Sequence, residues 1–479
     1  MCAAVSERRA ARDLANGDTI DGFRVTARLH AGGAGYIYRV APRDGEDPGF
    51  PLVMKVPAVG PREPVIGLVG FEMELMIQPA LAGPYLPRFV AAGDLHTTPY
   101  LVMEEVAGRS LDAWRDRAPL PEEEVVRMGA ELADALASLH EQETVHHDLK
   151  PENVIVRDDG RVVLLDFGFA HHARYPDLLG EESHFEAGSA GYVSPEQLRG
   201  RRGDPRSDLF ALGAMLYELA TGELPFGAPL ALAGMRDRLW RYAAPPRSLV
   251  PALSPALQEI ILRCLEIDAG ARYPSAALVA FDLRNRDQVE ITRRGERTES
   301  AGFWRQARAW WRSREIAETG EVAPRAGPAP VILVAVDTTH MEDARHPAIQ
   351  QTARQVLAVA AEHRMMCVSV IRGAPVGEGD AIEDTESGRH LEHLARLRRF
   401  VEPLGLPANR VSLHVLQAFD AGAAIVDLAT RNHADLIVLG APGPEEKVLG
   451  WWRSVASGVT ATAPCSVHVV RLKTPAAAP

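Results

Sequence analysis

Between residues 22 and 56, apolar residues recur at alternate positions in the short runs GFRVTARLH, YIYRV and PLVMKVPA, and turns divide the runs. That alternation predicts an antiparallel meander. Residues 122–140, EEEVVRMGAELADALASLH, change to helical spacing and open with three acids, which suit a helix N-terminus. RVVLL over 161–165 predicts a short strand, and from about 205 to 286 the pattern is helical with Pro-marked loops. The pattern predicts a small β-rich lobe followed by a larger helical one.

Residues 287–329 break this rhythm. RDQVEITRRGERTES is charged, VAPRAGPAP reads as a tether, and between them FWRQARAWWRSREIAE sets Trp304, Trp310 and Trp311 among several Arg. A basic aromatic helix can lie on a membrane surface. The reading favoured here is a Trp face packed on a neighbouring domain. From 330 to 472 the runs VILVAVD, MCVSVIR, VSLHVL, DLIVLG and SVHVVRL are almost continuously apolar and alternate with helix-like segments. Strands buried on both faces and joined by crossover helices predict a doubly wound parallel α/β sheet.

Composition narrows the classes. A chain of 479 residues is too long for one core and predicts two or three domains. A net charge of −12 argues against a general nucleic-acid binder. Cys2, Cys264, Cys367 and Cys465 are scattered, with no CxxC pair or metal-ligand spacing, which suits a reduced, cytoplasmic protein. No apolar run approaches the ~18 residues of a membrane span. The first twenty residues carry no apolar segment typical of a secretory signal.

Candidate chemistry gathers in the first 200 residues. LHAGGAGYIYRV over 29–40 is a Gly-rich turn between two strand-like runs. Its Gly32 and Gly35 would let backbone N–H groups approach phosphates. VMKV places Lys55 inside an apolar strand, where an ammonium is costly unless it faces a charged cleft. GFEMELM then offers Glu72 or Glu74 as its partner. VHHDLKPENV over 145–154 holds Asp148, a candidate proton acceptor, Lys150, a candidate phosphoryl partner, and Asn153, a candidate oxygen ligand for a metal. LLDFGFA adds Asp166 as a second hard ligand. Taken singly, each has an ordinary reading as a turn, capping or solvated residue. Their order and spacing do not.

In that order the chain resembles the eukaryotic-type protein kinase family over residues 20–286: HAGGAG, Lys55, Glu74, HHDLKPEN, DFG and SPE. Asp208 in SDLFALG is similar to a buried helix aspartate of that family. Arg272 resembles the arginine that pairs with the SPE glutamate, here Glu196. The resemblance implies a bilobal α+β kinase fold that uses ATP and Mg2+. It implies that Lys55 holds the α- and β-phosphates and pairs with Glu74, preferred over Glu72 because Phe71 lies three residues earlier. Asp148 would orient or deprotonate the substrate hydroxyl, beside Lys150. Asn153 and Asp166 would bind the metal ions. Leu29, Gly32, Gly33, Gly35 and Ile37 would cover the nucleotide, with Glu104 and Val106 in the hinge MEEV. Lys150 and GSAGY together resemble the Ser/Thr-directed class, so proteins bearing Ser or Thr are the implied substrates. Small-molecule kinases are a distant alternative.

Two departures stand out. His30 occupies the place of the first loop glycine. His147 replaces an arginine that in the family gathers a phosphate on the activation loop, and a neutral imidazole substitutes poorly for it. The loop from 166 to 196 has no Thr but keeps Ser183, Ser189 and Ser194. The expectation is a kinase that needs no activation-loop phosphorylation or is held in check by other contacts. His146, His171, His172 and His184 crowd the region and read as structural or solvated residues before a zinc site.

Residues 330–472 resemble the universal stress protein family, through VILVAVD ending in Asp337, ADLIVLGAPG and RSVASGVTATAPCSVHVVR. ATP-binding members carry a glycine motif that Gly440, Gly443 and Ser454 fit, whereas Arg453 stands at its third glycine. Arg loses close backbone approach yet brings a guanidinium. A second nucleotide, a regulatory role and a homodimer through this domain are all implied. The competing class for the whole chain is a nucleotide-binding scaffold that signals by shape. Loss of Lys55, Asp148 or Asp166 would favour it, and none is lost.

Overall fold

The computed structural model describes residues 14–32, 35–42, 48–57, 65–93, 99–182, 190–227, 232–299, 330–339, 345–359, 363–372, 386–441 and 455–471. The Trp-bearing segment, Gly33, Ser183, His184, Ser189, Gly443, Arg453 and Ser454 lie outside them. The N-terminal lobe is a six-stranded antiparallel sheet in the order β1-β2-β3-β4-β6-β5. Its strands are β1 (Thr19–Ile20), β2 (Phe23–Gly32), β3 (Gly35–Pro42), β4 (Leu52–Val56), β5 (Phe89–Ala92) and β6 (Leu101–Glu104). Alternation assigns the faces. Leu52, Met54 and Val56 of β4 join Tyr38, Val40 and Val102 in one apolar cluster, and Lys55 is turned the other way. Helix α1 (Val65–Ile77) follows β4 and buries Val69, Met73 and Ile77 in the core of the helical lobe.

The helical lobe is built on α2 (Glu122–Glu141) and α4 (Arg206–Thr221), with α3 (Leu178–Glu182) between them in sequence. Helix α2 opens with Glu122, Glu123 and Glu124 and buries Val125, Met128, Leu132, Leu136 and Leu139 along one stripe. Helix α4 is buried from Ser207 to Thr221, as the central rod of a large lobe must be, and it ends at Gly222 with φ 78°. The two helices meet at Gly129, where an added Cβ would fall 2.5 Å from Leu216 Cδ2. Helices α5 (Pro255–Cys264) and α6 (Ala276–Arg284) complete the packing. Short strand pairs fix the loops between the lobes. β7 (Arg109–Ser110), β9 (Val154–Val156) and β10 (Val162–Leu164) form one sheet, and β8 (Thr144–Val145) pairs with β11 (His171–His172).

The C-terminal domain is a five-stranded, wholly parallel sheet in the order β14-β13-β12-β15-β16. These strands are β12 (Val331–Ala335), β13 (Arg364–Arg372), β14 (Val411–Ala418), β15 (Leu436–Gly440) and β16 (Ser466–Val470). Every residue of β12 is buried, and alternate side chains enter different cores. Ile332 and Val334 pack with α7 (Arg345–Val359) and α8 (Glu386–Val401). Val331, Leu333 and Ala335 pack with α9 (Ala421–Arg431) and α10 (Val455–Thr462). Helices on both faces of a parallel sheet make it the doubly wound α/β fold read from the apolar runs. Cys264 and Cys367 are buried, and Cys465 is half-buried against the core that holds Val331 and Leu333. No helix among the described residues is long and apolar enough to cross a membrane.

One buried carboxylate ties this scaffold to the loop after β8. Asp208, near the start of α4, accepts from His146 N at 2.8 Å and from His147 N at 2.9 Å, and His140 Nε2 lies 2.9 Å away. These bonds hold His147 in the left-handed region, φ 63°, a strained conformation for a residue with a Cβ. Burial opposes the ionised form of Asp208, but His140 outweighs it and the pKa falls to about 2. A depressed carboxylate stabilises the fold above the ordinary carboxylate range, and that contribution is lost as pH falls toward 2. Asp208→Asn is expected to destabilise the protein by about 2–3 kcal/mol at neutral pH in urea denaturation. It should also weaken the loss of stability between about pH 4 and pH 2.

Candidate active site

Lys55 is the centre of the cleft. Its Nζ lies 2.6 Å from Glu74 Oε2 and 3.0 Å from Asp166 Oδ1. Three elements meet there: β4 brings Lys55, α1 brings Glu74, and the turn after β10 brings Asp166 in the left-handed region, φ 64°. Glu72 sits about 200° away around the same helix, so the structure resolves the pair left open in the sequence. The approach of α1 to the Asp166 turn needs two glycines. A Cβ on Gly70 would lie 3.2 Å from the Gly168 carbonyl oxygen, and a Cβ on Gly168 would lie 3.2 Å from that of Gly70.

One ammonium faces two carboxylates, so the cluster carries one negative charge in excess. Burial works against the Lys55 ammonium, but Asp166 and Glu74 overcome it and raise its pKa. Burial likewise opposes ionised Asp166, yet Lys55 holds it down at about 2. For Glu74, burial prevails over Lys55 and Asp166 adds repulsion, so its pKa is raised. The side chain of Glu74 is 1 % exposed and that of Asp166 34 %. The excess charge therefore has an open side at Asp166, where a hard cation would be welcome.

The loop that Asp208 supports carries the remaining groups. Lys150 Nζ donates to Asp148 Oδ2 at 2.7 Å. Asn153 Nδ2 donates to Asp148 O at 2.8 Å and to Asp148 Oδ2 at 3.2 Å, which leaves its amide oxygen turned away from Asp148. Burial disfavours charged Lys150, but the Asp148 carboxylate prevails and raises its pKa. The residues present fit a Mg2+ nucleotide, because Asp166 and Asn153 offer oxygens and two ammonium groups lie alongside.

Of the residues expected to cover a nucleotide, Leu29, Gly32, Gly35 and Ile37 lie on the paired strands β2 and β3. Ile37 pairs across the sheet with Lys55. Leu29 falls at an irregularity of the β2–β3 register and is exposed. Gly35 has φ 134°, open to glycine and to few other residues. The His30 imidazole lies over Gly32, where a Cβ would meet its Nε2 at 2.8 Å. The Glu104 carboxylate is engaged at 2.9 Å with both Arg88 and Arg157 and its N–H donates to Arg88 O at 2.9 Å, and Val106 follows it half-buried.

The His147 imidazole is not a clamp. Its Nε2 accepts from Gly203 N at 3.0 Å and its carbonyl accepts from Gln197 Nε2 at 2.7 Å. Burial first, and the neighbouring Arg202 second, push its pKa well below the usual histidine range, so it is neutral near pH 7. The clamp is Arg202, which the sequence reading missed. Its Nε donates to Asp177 at 2.7 Å and 3.0 Å, and its Nη2 donates to Phe169 O at 2.8 Å. Asp177 thus gives Arg202 a carboxylate partner within the same segment. No spacing rule links residues 177 and 202, so only the fold reveals the pair. Ser194 is fully buried. Arg272 grips Glu196 through two bonds of 2.6 Å and 2.8 Å. His146 and His172 engage backbone groups. No cluster of three or more His, Cys, Asp or Glu poised for a metal occurs among the described residues.

In the C-terminal domain the strand order reverses between β12 and β15, where doubly wound sheets bind ligands. Asp337 follows β12 and Gly440 ends β15. Arg345 lies against Gly440 and donates to Ala441 O at 3.1 Å. The rest of the glycine motif falls outside the described residues.

Residues 54–282 match the protein kinase domain, and residues 330–471 match the universal stress protein family. Pkn1, a serine/threonine-protein kinase of Myxococcus xanthus, is 36% identical over 308 residues, 60% of this chain and 41% of that protein. PknB of Lactococcus lactis, a probable serine/threonine-protein kinase, is 30% identical over 280 residues, 58% of this chain and 43% of that protein. The serine/threonine-protein kinase PknL of Mycobacterium bovis is 30% identical over 262 residues, 54% of this chain and 64% of that protein. The matched stretch is less than two thirds of each relative.

The Arg202–Asp177 pair generates a prediction. Arg202→Ala should slow phosphoryl transfer about tenfold, which corresponds to about 1.4 kcal/mol. Phosphatase treatment of the intact protein should leave its rate unchanged. Both are read by steady-state kinetics, and a rate that collapses after phosphatase would remove the carboxylate clamp.

Proposed function

The chain joins a protein kinase domain to a universal stress protein domain, and we propose that it transfers the γ-phosphoryl of ATP to serine and threonine hydroxyls of proteins. The observation that carries this reading is the convergence of Lys55, Glu74 and Asp166 within 3.0 Å contacts, beside Asp148 held by Lys150 and Asn153.

Lys55, fixed by Glu74, binds the α- and β-phosphates. Asp166 and Asn153 hold Mg2+, which when bound neutralises charge on the phosphate oxygens. Asp148 accepts a hydrogen bond from the substrate hydroxyl and aims its oxygen at the γ-phosphorus. As that oxygen–phosphorus bond forms, the bond to the β–γ bridging oxygen breaks and the hydroxyl proton passes to Asp148. Lys150 sits where it offsets charge on the moving phosphoryl group. Leu29 and Ile37 cover the base, and the backbone at Glu104 and Val106 pairs with its edge.

The C-terminal domain serves as a regulatory module. A second nucleotide at the crevice between β12 and β15, or a dimer through this domain, is the form such regulation takes. Equilibrium dialysis of ATP and light scattering distinguish the two.

The transfer reading is tested with radiolabelled ATP and a generic protein acceptor. Asp148→Asn should lower incorporation about 10²- to 10⁴-fold while Mg·ATP still raises the melting temperature. Equal incorporation by the variant and the intact protein would remove the reading.

A further inference from the structure

Helix α3 lies in the segment between the Asp166 turn and the SPE motif, and it is gripped from three directions. At its start, Asp177 Oδ1 accepts from Gly180 N at 3.2 Å while the same carboxylate is held by Arg202. On one side Leu178 and Leu179, both buried, pack in the core that holds Val69 and Met73 of α1. At its end Glu181 leaves the kinase domain altogether. Its carboxylate is bonded by Arg364 of β13 and lies 2.7 Å from His414 Nε2 of β14. Asn432, after α9, reaches its backbone oxygen at 3.4 Å.

This is not a rim contact. Glu181 is 6 % exposed and His414 0 %. Burial opposes the ionised carboxylate, but Arg364 outweighs it and brings the pKa to about 2. A buried carboxylate that lost its cation would be left uncompensated, so this pair resists opening. The two partners come from adjacent strands of the parallel sheet, Arg364 from β13 and His414 from the edge strand β14, and the carboxylate comes from the segment that shapes a kinase cleft.

We propose that Arg364 and His414 of the C-terminal domain are positioning residues for phosphoryl transfer: by holding Glu181 they fix α3 against α1, which keeps Glu74 on Lys55. The path is continuous in the structure. Arg364 binds Glu181, α3 packs beside α1 in the one core that holds Leu178, Leu179, Val69 and Met73, and Glu74 follows Met73 by one residue on α1. The C-terminal domain thereby supports the assembled cleft, and any ligand that shifts β13 or β14 acts on the rate through Glu181. This rests on the kinase reading for its consequence but not for the contact itself.

The test uses the full chain with Arg364→Ala and the isosteric Glu181→Gln, each read in two ways. Hydrogen exchange should quicken about tenfold in residues 174–182 and in α1, while β12 and β15 keep their protection. The kcat for protein phosphorylation should fall about tenfold, within the usual range of coupling between sites, and the double variant should fall no further than either single one. Arg364→Lys should recover part of both. If Arg364→Ala does not fold, Glu181→Gln carries both readouts alone. Unchanged exchange in α3 would overturn the contact. Altered exchange with an equal or higher kcat would overturn its supporting role. A chain that transfers no phosphate at all, yet shows the exchange change, would refute the kinase reading and leave the contact standing.

Discussion

The cleft depends on a single ammonium shared by two carboxylates. Lys55 cannot be buried alone, because an unpaired cation in a protein interior is too costly. Glu74 and Asp166 supply the compensation, and they come from α1 and from the turn after β10. The pairing therefore forms only when the β-rich lobe, α1 and the helical lobe are all in register. The same requirement explains the two facing glycines, since Gly70 and Gly168 let α1 approach closely enough for Glu74 to reach. It also leaves one negative charge in excess on the exposed side of Asp166, so electrostatics alone prepare the place for a cation.

The sequence made the order of elements legible because each has a local cause. The period-two runs around Lys55, the three acids opening α2 and the fully apolar strands of the second sheet each follow from neighbours within a few residues. The residues of the loop after β8 were legible for another reason, since Asp148, Lys150 and Asn153 lie within six positions of one another. What could not be read depends on contacts across long stretches of chain. Arg202 and Asp177 are 25 residues apart, Gln197 and His147 are 50 apart, and Glu181 and His414 are 233 apart. No periodicity encodes such pairs. His147 shows the difference in kind. Its substitution for arginine was visible, and its neutrality followed from the residue type. The replacement clamp required the fold.

Two domains of different architecture thus meet on one short helix. The kinase domain contributes a segment that in isolation would have a single carboxylate clamp. The universal stress protein domain contributes two basic side chains at adjacent strands. Arg202 secures the start of that helix and Arg364 secures its end, so the segment is held at both ends by ion pairs. The strained backbones at His147 and Asp166 are likewise held by fixed partners, Asp208 and Lys55.

The central claim is that Asp166 carries the unbalanced charge of the cleft and receives the cation there. Calorimetric titration of a non-hydrolysable ATP analogue, with and without Mg2+, tests it in the intact protein and in Asp166→Asn. The account predicts that Mg2+ tightens binding in the intact protein and that most of this gain disappears in the variant. An equal Mg2+ effect in both proteins would contradict it.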